Sequence, residues 1–194
     1  MINPFLIGDR IYLRPLEMDD LDRCQRWFND PQVRQFLDTT YPLSREAERS
    51  ILERIAGQPI GPGSDIILAI ALKADDQHIG NAGLHHINTI DRNAELGIAV
   101  GEKDMWQKGY GTEASRQLVE FGFAALNLHR IYLRVHSNNP RARATYQKIG
   151  FQPEGIWRQA IFRDGRYQDV VLMGLLRGDY PGRRRGERGR DPDE

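Results

Sequence analysis

The chain has 194 residues, enough for one domain of ordinary size and too few for two typical ones. Apolar residues make up 40% and charged residues 28%, a composition that excludes the disordered, collagen-like and membrane-embedded classes. Lys and Arg total 27, as do Asp and Glu, so the protein has no global field to attract nucleic acid or an anionic membrane. Any anion site must be local, and we expect no nucleic-acid or membrane partner.

Cysteine content and the N-terminal sequence indicate the cellular setting. The single cysteine, Cys24, excludes an internal disulfide and a cysteine-based zinc cluster, and it fits a reducing compartment. The chain does not start with a basic region followed by a long apolar run, and no segment reaches the roughly 18 apolar residues of a membrane span. We therefore expect a cytoplasmic protein.

Hydrophobic periodicity divides the chain into strands and helices. Alternating patterns and short apolar runs predict strands over residues 10–14, 66–72, 79–86, 94–100, 130–136, 151–162 and 166–176. Apolar residues at helical spacing predict helices over about residues 20–28, 44–57, 114–125 and 140–150. Asn29-Asp30-Pro31 is expected to end the first helix, and Asp164-Gly165 is a strong hairpin signal. These elements predict one α/β domain over residues 1–180, with a mixed, mostly antiparallel sheet of six or seven strands flanked by about four helices.

The C-terminal residues 181–194 differ in composition from the rest of the chain. They carry five arginines against four acidic residues and have no apolar anchor. We expect a disordered, solubilising tail, with an arm for an anionic partner as the alternative.

The glycine-bearing segment between residues 100 and 114 is the most informative part of the sequence. Gly109 and Gly111 follow a strand and precede a helix, where glycines allow close backbone approach and unpaired N–H groups attract phosphate. Lys108 precedes its glycine, which argues against a P-loop, and Ala114 stands where a dinucleotide fingerprint requires the third glycine. A phosphate site and an ordinary turn both remain open at this point.

Several segments together make the chain resemble the GNAT family of N-acetyltransferases, in particular its ribosomal-protein N-terminal acetyltransferase branch. The family's loop pattern, Arg/Gln-x-x-Gly-x-Gly/Ala, is matched at both glycines by residues 106–111. The branch is also similar at the N-terminal segment 27–34 and at the hairpin 162–170. A second family pattern is matched by Asn139, Tyr146, Gly150 and Phe151.

The resemblance implies a sheet splayed at the cofactor site and acetyl-CoA as the acetyl donor, with no metal. It implies a primary amine as acceptor, here a protein N-terminus, and it leaves room for a homodimer. Trp106 replaces the usual Arg or Gln, so no side-chain contact to pyrophosphate is expected from that position. The implied cofactor-binding residues are Ile98, Ala99, Val100, Gln107, Lys108, Gly109, Tyr110, Gly111, Thr112 and Asn139.

The resemblance also implies two catalytic residues. Glu95 is expected to relay the amine proton through water, although a strand-end carboxylate paired with an arginine is equally consistent with the sequence. His85 and His86 are the alternative bases, and strand alternation predicts that at most one points into the cleft. Tyr146 is expected to protonate the departing thiolate, the alternative being an aromatic side chain packed under the sheet.

The acceptor site is the part of the protein that the sequence constrains least. Rival acceptors are small amines such as a polyamine, an amino sugar or an antibiotic, and rival classes are a non-catalytic acyl-CoA sensor and an unrelated nucleotide-binding protein. The residues expected to shape the acceptor pocket are Tyr41, His85, Trp157, Arg163, Tyr167 and Asp169.

Overall fold

The computed structural model describes residues 1–182 except 39, 59, 60 and 62. Nearly all of the arginine-rich tail lies outside the described residues. The strands are β1 Leu6–Ile7, β2 Ile11–Pro15, β3 Ile66–Leu72, β4 His78–Asn88, β5 Asn93–Val100, β6 Arg130–His136, β7 Gln152–Arg163 and β8 Arg166–Leu176. The helices are α1 Leu21–Asn29, α2 Pro31–Arg34, α3 Arg45–Ala56, α4 Tyr110–Ala124 and α5 Pro140–Ile149.

The strands form one sheet in the order β1-β2-β3-β4-β5-β6-β8-β7. All neighbours are antiparallel except β5 and β6, which the α4 crossover makes parallel. The predicted α/β class with a mixed, mostly antiparallel sheet is confirmed. The described residues form eight strands and five α-helices, one more of each than the sequence predicts. The two additional elements are β1 and α2.

Two apolar clusters cover the two faces of the sheet. Leu68, Ile70 and Leu72 of β3 alternate to one face, where they join Leu118 of α4 in the larger cluster. Ala69 points to the other face and packs with a smaller cluster from α1 and α3. Among the described helices, none is long and apolar enough to cross a membrane.

A buried ion pair fastens the turn after β2 to the sheet. Arg14 donates to both carboxylate oxygens of Asp20, at 2.7 Å each, and His78 Nδ1 lies 2.9 Å from the same carboxylate. Burial opposes ionisation, but the bonds from Arg14 and His78 outweigh it and hold the pKa of Asp20 well below its usual range. This carboxylate is therefore ionised at neutral pH, and α1 begins next to it at Leu21.

Candidate active site

The parallel strands β5 and β6 diverge and open a cleft in the middle of the sheet. Their pairing is limited to three residue pairs, the last of which joins Glu95 and Tyr132. Both strands continue past this point, β5 to Val100 and β6 to His136, without pairing to each other. A cleft of about 830 Å³ runs from this fork to the start of α4 and α5. The implied splay is therefore present.

The loop from Trp106 to Gly109 closes one end of this cleft. Gly109 adopts a φ of 86°, a left-handed conformation that glycine reaches without strain. Arg10 anchors the loop to the start of α4, because it donates to the Lys108 carbonyl at 2.8 Å and pairs with Glu113 at 3.0 Å. Trp106 donates its indole N–H to the Val100 carbonyl at 2.7 Å, so it ties the loop to β5. The tryptophan thus has a structural position in this chain.

The main-chain N–H groups of residues 107–112 have no protein partner in the part of the chain described. They precede and form the first turn of the 15-residue helix α4, whose dipole adds partial positive charge at this end. Arg141 and Lys148 of α5 line the same end of the cleft. Free N–H groups, a helix N-terminus and two cations together fit a pyrophosphate-bearing cosubstrate.

Most of the implied cofactor residues lie in the cleft, and one does not. The cleft is lined by Ile98, Ala99, Val100, Gln107, Gly109, Tyr110, Gly111, Thr112 and Asn139. Lys108 is not among the lining residues, because its carbonyl is turned toward Arg10 and its ammonium group lies 4.0 Å from the Met105 sulfur. The expectation for Lys108 concerns its main-chain N–H, which has no protein partner among the described residues.

Glu95 lies at the fork between β5 and β6 with both carboxylate oxygens engaged. Oε1 accepts from Arg134 Nε at 2.6 Å, and Oε2 lies 3.2 Å from His86 Nδ1. The hydrogen bond to Glu95 raises the pKa of Arg134. Arg134 also lies 3.5 Å from Asp38. Glu95 therefore lines the cleft in the arginine-paired arrangement that the sequence left open, and neither of its carboxylate oxygens is free.

Both His85 and His86 line the cleft, contrary to the expectation that at most one would. The pairing of β4 with β5 becomes irregular between His85 and Asn88, and His86 has a φ of 50°. Such a bulge breaks the strict alternation of side chains. The two imidazoles therefore approach the same cavity from adjacent positions.

Tyr146 and Asn139 occupy the cleft wall formed by α5. Burial raises the pKa of Tyr146 to about 12, and its ring packs edge-on against Phe151. Its hydroxyl has no hydrogen-bond partner among the described residues. Asn139 caps α5 by accepting from the Ala142 N–H at 3.0 Å.

Of the six residues expected to shape the acceptor pocket, only His85 and Trp157 line the cleft. Tyr41 is 81% exposed in the loop before α3 and does not line the cavity. Tyr167 packs on Phe162 at the hairpin tip, away from the cavity. Neither residue lines the cleft as it stands, and their role in the acceptor pocket stays a prediction.

Arg163 and Asp169 are also absent from the cleft lining, because both are used to hold backbone. Arg163 donates to the Leu37 carbonyl at 3.3 Å and connects the hairpin to the loop after α2. Asp169 accepts from the Gln159 N–H at 2.8 Å, where β7 bulges between Trp157 and Ile161. Their role in the acceptor pocket stays a prediction.

Sequence reasoning missed several residues at the acceptor end of the cleft. Phe36 and Asp38 follow the unpredicted helix α2 and line the cavity, as does His136 at the end of β6. Burial lowers the pKa of His136, whose Nδ1 has no partner among the described residues. The sequence signal for α2 is Asp30-Pro31, which is typical of an N-cap followed by a proline at the first helical position.

Comparisons with known proteins agree with this geometry. The family profile described as acetyltransferase (GNAT) domain matches residues 10–152. A spermidine N(1)-acetyltransferase from Vibrio cholerae is 38% identical over 175 residues, covering 90% of this chain and 97% of that protein. YdaF of Bacillus subtilis, a candidate ribosomal N-acetyltransferase, is 32% identical over 108 residues, covering 56% of this chain and 58% of that protein.

A solved structure is similar over nearly the whole described domain. The crystal structure of spermidine N-acetyltransferase from Vibrio cholerae in complex with CoA and spermine superimposes with a TM-score of 0.79. The two chains are 28% identical, with 88% of this chain and 98% of that chain covered.

Proposed function

The chain belongs to the GNAT family of acetyl-CoA-dependent N-acetyltransferases, and from this premise we propose that it acetylates a small cationic amine of the polyamine class. The observation that supports this acceptor is the charge at the fork of the cleft. Glu95, Asp38 and Asp65 place three carboxylates around the fork. Two guanidiniums, those of Arg134 and Arg163, oppose them. A surplus negative charge attracts a polyamine, which carries several ammonium groups.

The two ends of the cleft would bind the two substrates. At the α4 end, the N–H groups of residues 107–112 would hold the pyrophosphate of acetyl-CoA, with Arg141 and Lys148 beside them. Acetyl-CoA supplies the activated thioester. At the fork, the carboxylate of Glu95, which Arg134 holds in place, would attract the acceptor ammonium.

Removal of a proton from the acceptor ammonium contributes substantially to the free-energy barrier of the reaction. A side-chain-like primary amine with a pKa near 10.4 costs about 4.6 kcal/mol to deprotonate at pH 7, whereas an α-amine near 7.8 costs about 1 kcal/mol. A polyamine therefore requires a more effective base than a peptide N-terminus.

Tyr146 would donate a hydrogen bond from its hydroxyl to the departing thiolate, since that hydroxyl has no described protein partner.

A protein N-terminus is the second candidate acceptor, as the ribosomal-protein branch resemblance implies. The partial match to YdaF favours it, as does the half-exposed Trp157 at the open side of the cleft. An extended peptide needs such an open side, whereas a polyamine needs the negative charge at the fork.

A thiol-release assay with acetyl-CoA tests the acceptor. Spermidine, N-terminal peptides, an aminoglycoside and free amino acids would be compared at equal concentration. We expect spermidine to give the highest kcat/KM, and Glu95→Gln to raise the KM for spermidine about tenfold, or about 1.4 kcal/mol. Glu53→Gln, an exposed α3 residue outside the cleft, is the matched control. Acetylation of peptides but not spermidine would replace the polyamine proposal with the second candidate.

We also propose that β7 mediates a homodimer. This 12-residue strand lies at the edge of the sheet, and Ile156 and Phe162 on it are 59% and 54% exposed. A second copy could add its own β7 antiparallel to this edge about a two-fold axis. Sedimentation at micromolar concentration should show a dimer that Ile156→Lys converts to monomer. A monomeric wild type would disprove the dimer.

A further inference from the structure

The side chain of His85 lies on a pair of glycines in the sheet. Gly83 of β4 and Gly97 of β5 are directly paired, two residues along each strand from the pair formed by His85 and Glu95 and therefore on the same face. A Cβ atom at Gly97 would come within 2.8 Å of His85 Nε2, and one at Gly83 within 3.2 Å of the same atom. The imidazole therefore occupies space that exists only because both positions lack a side chain.

Asp65 fixes this imidazole from the opposite side. Its Oδ2 lies 3.4 Å from His85 Nδ1, and its Oδ1 accepts from the His86 main-chain N–H at 2.8 Å. The second bond keeps the carboxylate from rotating away from the ring. The Asp65 contact favours a proton on Nδ1, which leaves the lone pair on Nε2.

Nε2 of His85 is one of the groups in the cleft that are available to accept a proton. It has no hydrogen-bond partner among the described residues, while both oxygens of Glu95 are engaged. We propose that His85 is the catalytic base of the acetyl transfer and that Asp65 is the positioning residue that orients it. This inference rests on the proposed function, because a polyamine ammonium requires such a base.

The proposed step is balanced in atoms and charge. The acceptor ammonium gives a proton to His85 Nε2, and the neutral amine then forms a C–N bond with the acetyl carbon as the C–S bond breaks. The protonated nitrogen of the product loses its second proton to solvent and becomes a neutral amide. The thiolate, stabilised by the Tyr146 hydroxyl, takes a proton from solvent. The proton left on His85 returns to solvent through the open cleft. No further reactant is needed.

The charged groups around His85 determine the pH dependence of this step. Asp65 faces Nδ1 from the start of β3, and Glu95 is its cross-strand partner on β5. His86 and Arg134 contact Glu95 from β4 and β6. Because Asp65 stabilises the imidazolium, its neutralisation should move the acid limb of the pH–rate profile to lower pH.

Two variants and one rescue test the proposal in the full chain with acetyl-CoA and spermidine. His85→Ala should lower kcat about 100-fold, within the range for a general base, and leave the KM for acetyl-CoA within about twofold. Added imidazole should restore part of that rate, because the variant leaves a space above Gly83 and Gly97. Asp65→Asn should lower kcat about tenfold and shift the acid limb to lower pH.

Matched controls separate catalysis from folding. His129→Ala removes an exposed imidazole outside the cleft, and Asp75→Asn neutralises a turn carboxylate that also accepts a main-chain N–H. Neither control should change kcat or the pH profile.

Each outcome bears on a different claim. A wild type that acetylates none of the amines would contradict the proposed function together with this inference. An active wild type whose His85→Ala variant keeps full kcat, or whose folded variant gains nothing from imidazole, would contradict the inference alone. If only a peptide is acetylated, the same variants are measured with that peptide, and an unchanged kcat again overturns the role of His85.

Discussion

Replacement of Tyr146 by Phe isolates the role of one hydroxyl at the leaving-group end of the cleft. Burial raises the pKa of Tyr146 to about 12. An ordinary thiol has a pKa near 8.5, so full transfer of the phenol proton to the CoA thiolate would be uphill by about 5 kcal/mol. The hydroxyl should instead donate a hydrogen bond to the thiolate, an interaction of about 1.5–3 kcal/mol with a charged acceptor. We expect Tyr146→Phe to lower kcat about 10- to 150-fold.

Thiol release at saturating acetyl-CoA measures this loss. The ring stays packed on Phe151 in the variant, so the melting temperature should not fall. Because the pKa lies near 12, the phenol stays protonated from pH 6 to 10, and the shape of the pH–rate profile should be unchanged. Tyr180→Phe, which removes a half-buried hydroxyl outside the cleft, is the control. A kcat within twofold of wild type, or a loss beyond about 1000-fold, would refute the hydrogen-bond role.

Three further substitutions test the loop and the ion pair. Gly109→Ala forces a left-handed φ on a Cβ-bearing residue and should lower the free energy of unfolding by about 1 kcal/mol in urea titration. Trp106→Phe removes the bond to the Val100 carbonyl and should raise the KM for acetyl-CoA several-fold at unchanged kcat. Asp20→Asn leaves Arg14 buried and unpaired, a loss of about 3–5 kcal/mol. Because the folded pKa of Asp20 is depressed, its contribution is present above about pH 4 and lost at lower pH, so the variant should show a flatter acid unfolding profile.

Local sequence signals predicted most of the fold. Every predicted strand is present. A strand or helix that buries one face against a core must place apolar residues at every second position or at helical spacing, so both patterns are visible in the sequence. The two missed elements are short. β1 has two residues, too few for a pattern, and α2 has four and begins at Pro31, whose position favours a helix end. A proline both ends one helix and begins the next, so its sequence signal is ambiguous.

The site was predictable where it depends on the backbone and unpredictable where it depends on contacts between distant segments. Gly109 and Gly111 indicated a loop whose amides are free, and the structure shows those amides unpaired in its described part. The acceptor end instead combines the segment after α2 with β4, β5 and β6. Asp65 lies 20 residues from His85 along the chain, and no local pattern marks it as that residue's partner.

The zero net charge of the chain conceals a cleft with charge of opposite sign at its two ends. Arg141 and Lys148 lie with the free N–H groups at one end. At the other end, the carboxylates of Glu95, Asp38 and Asp65 outnumber the guanidiniums of Arg134 and Arg163. Exposed charges are screened beyond about 8 Å at physiological salt, so each end acts on the substrate group next to it rather than on the whole molecule. Acceptor choice therefore depends on a few side chains around the fork. A relative with the same cofactor loop and a different charge balance at the fork should take a different amine.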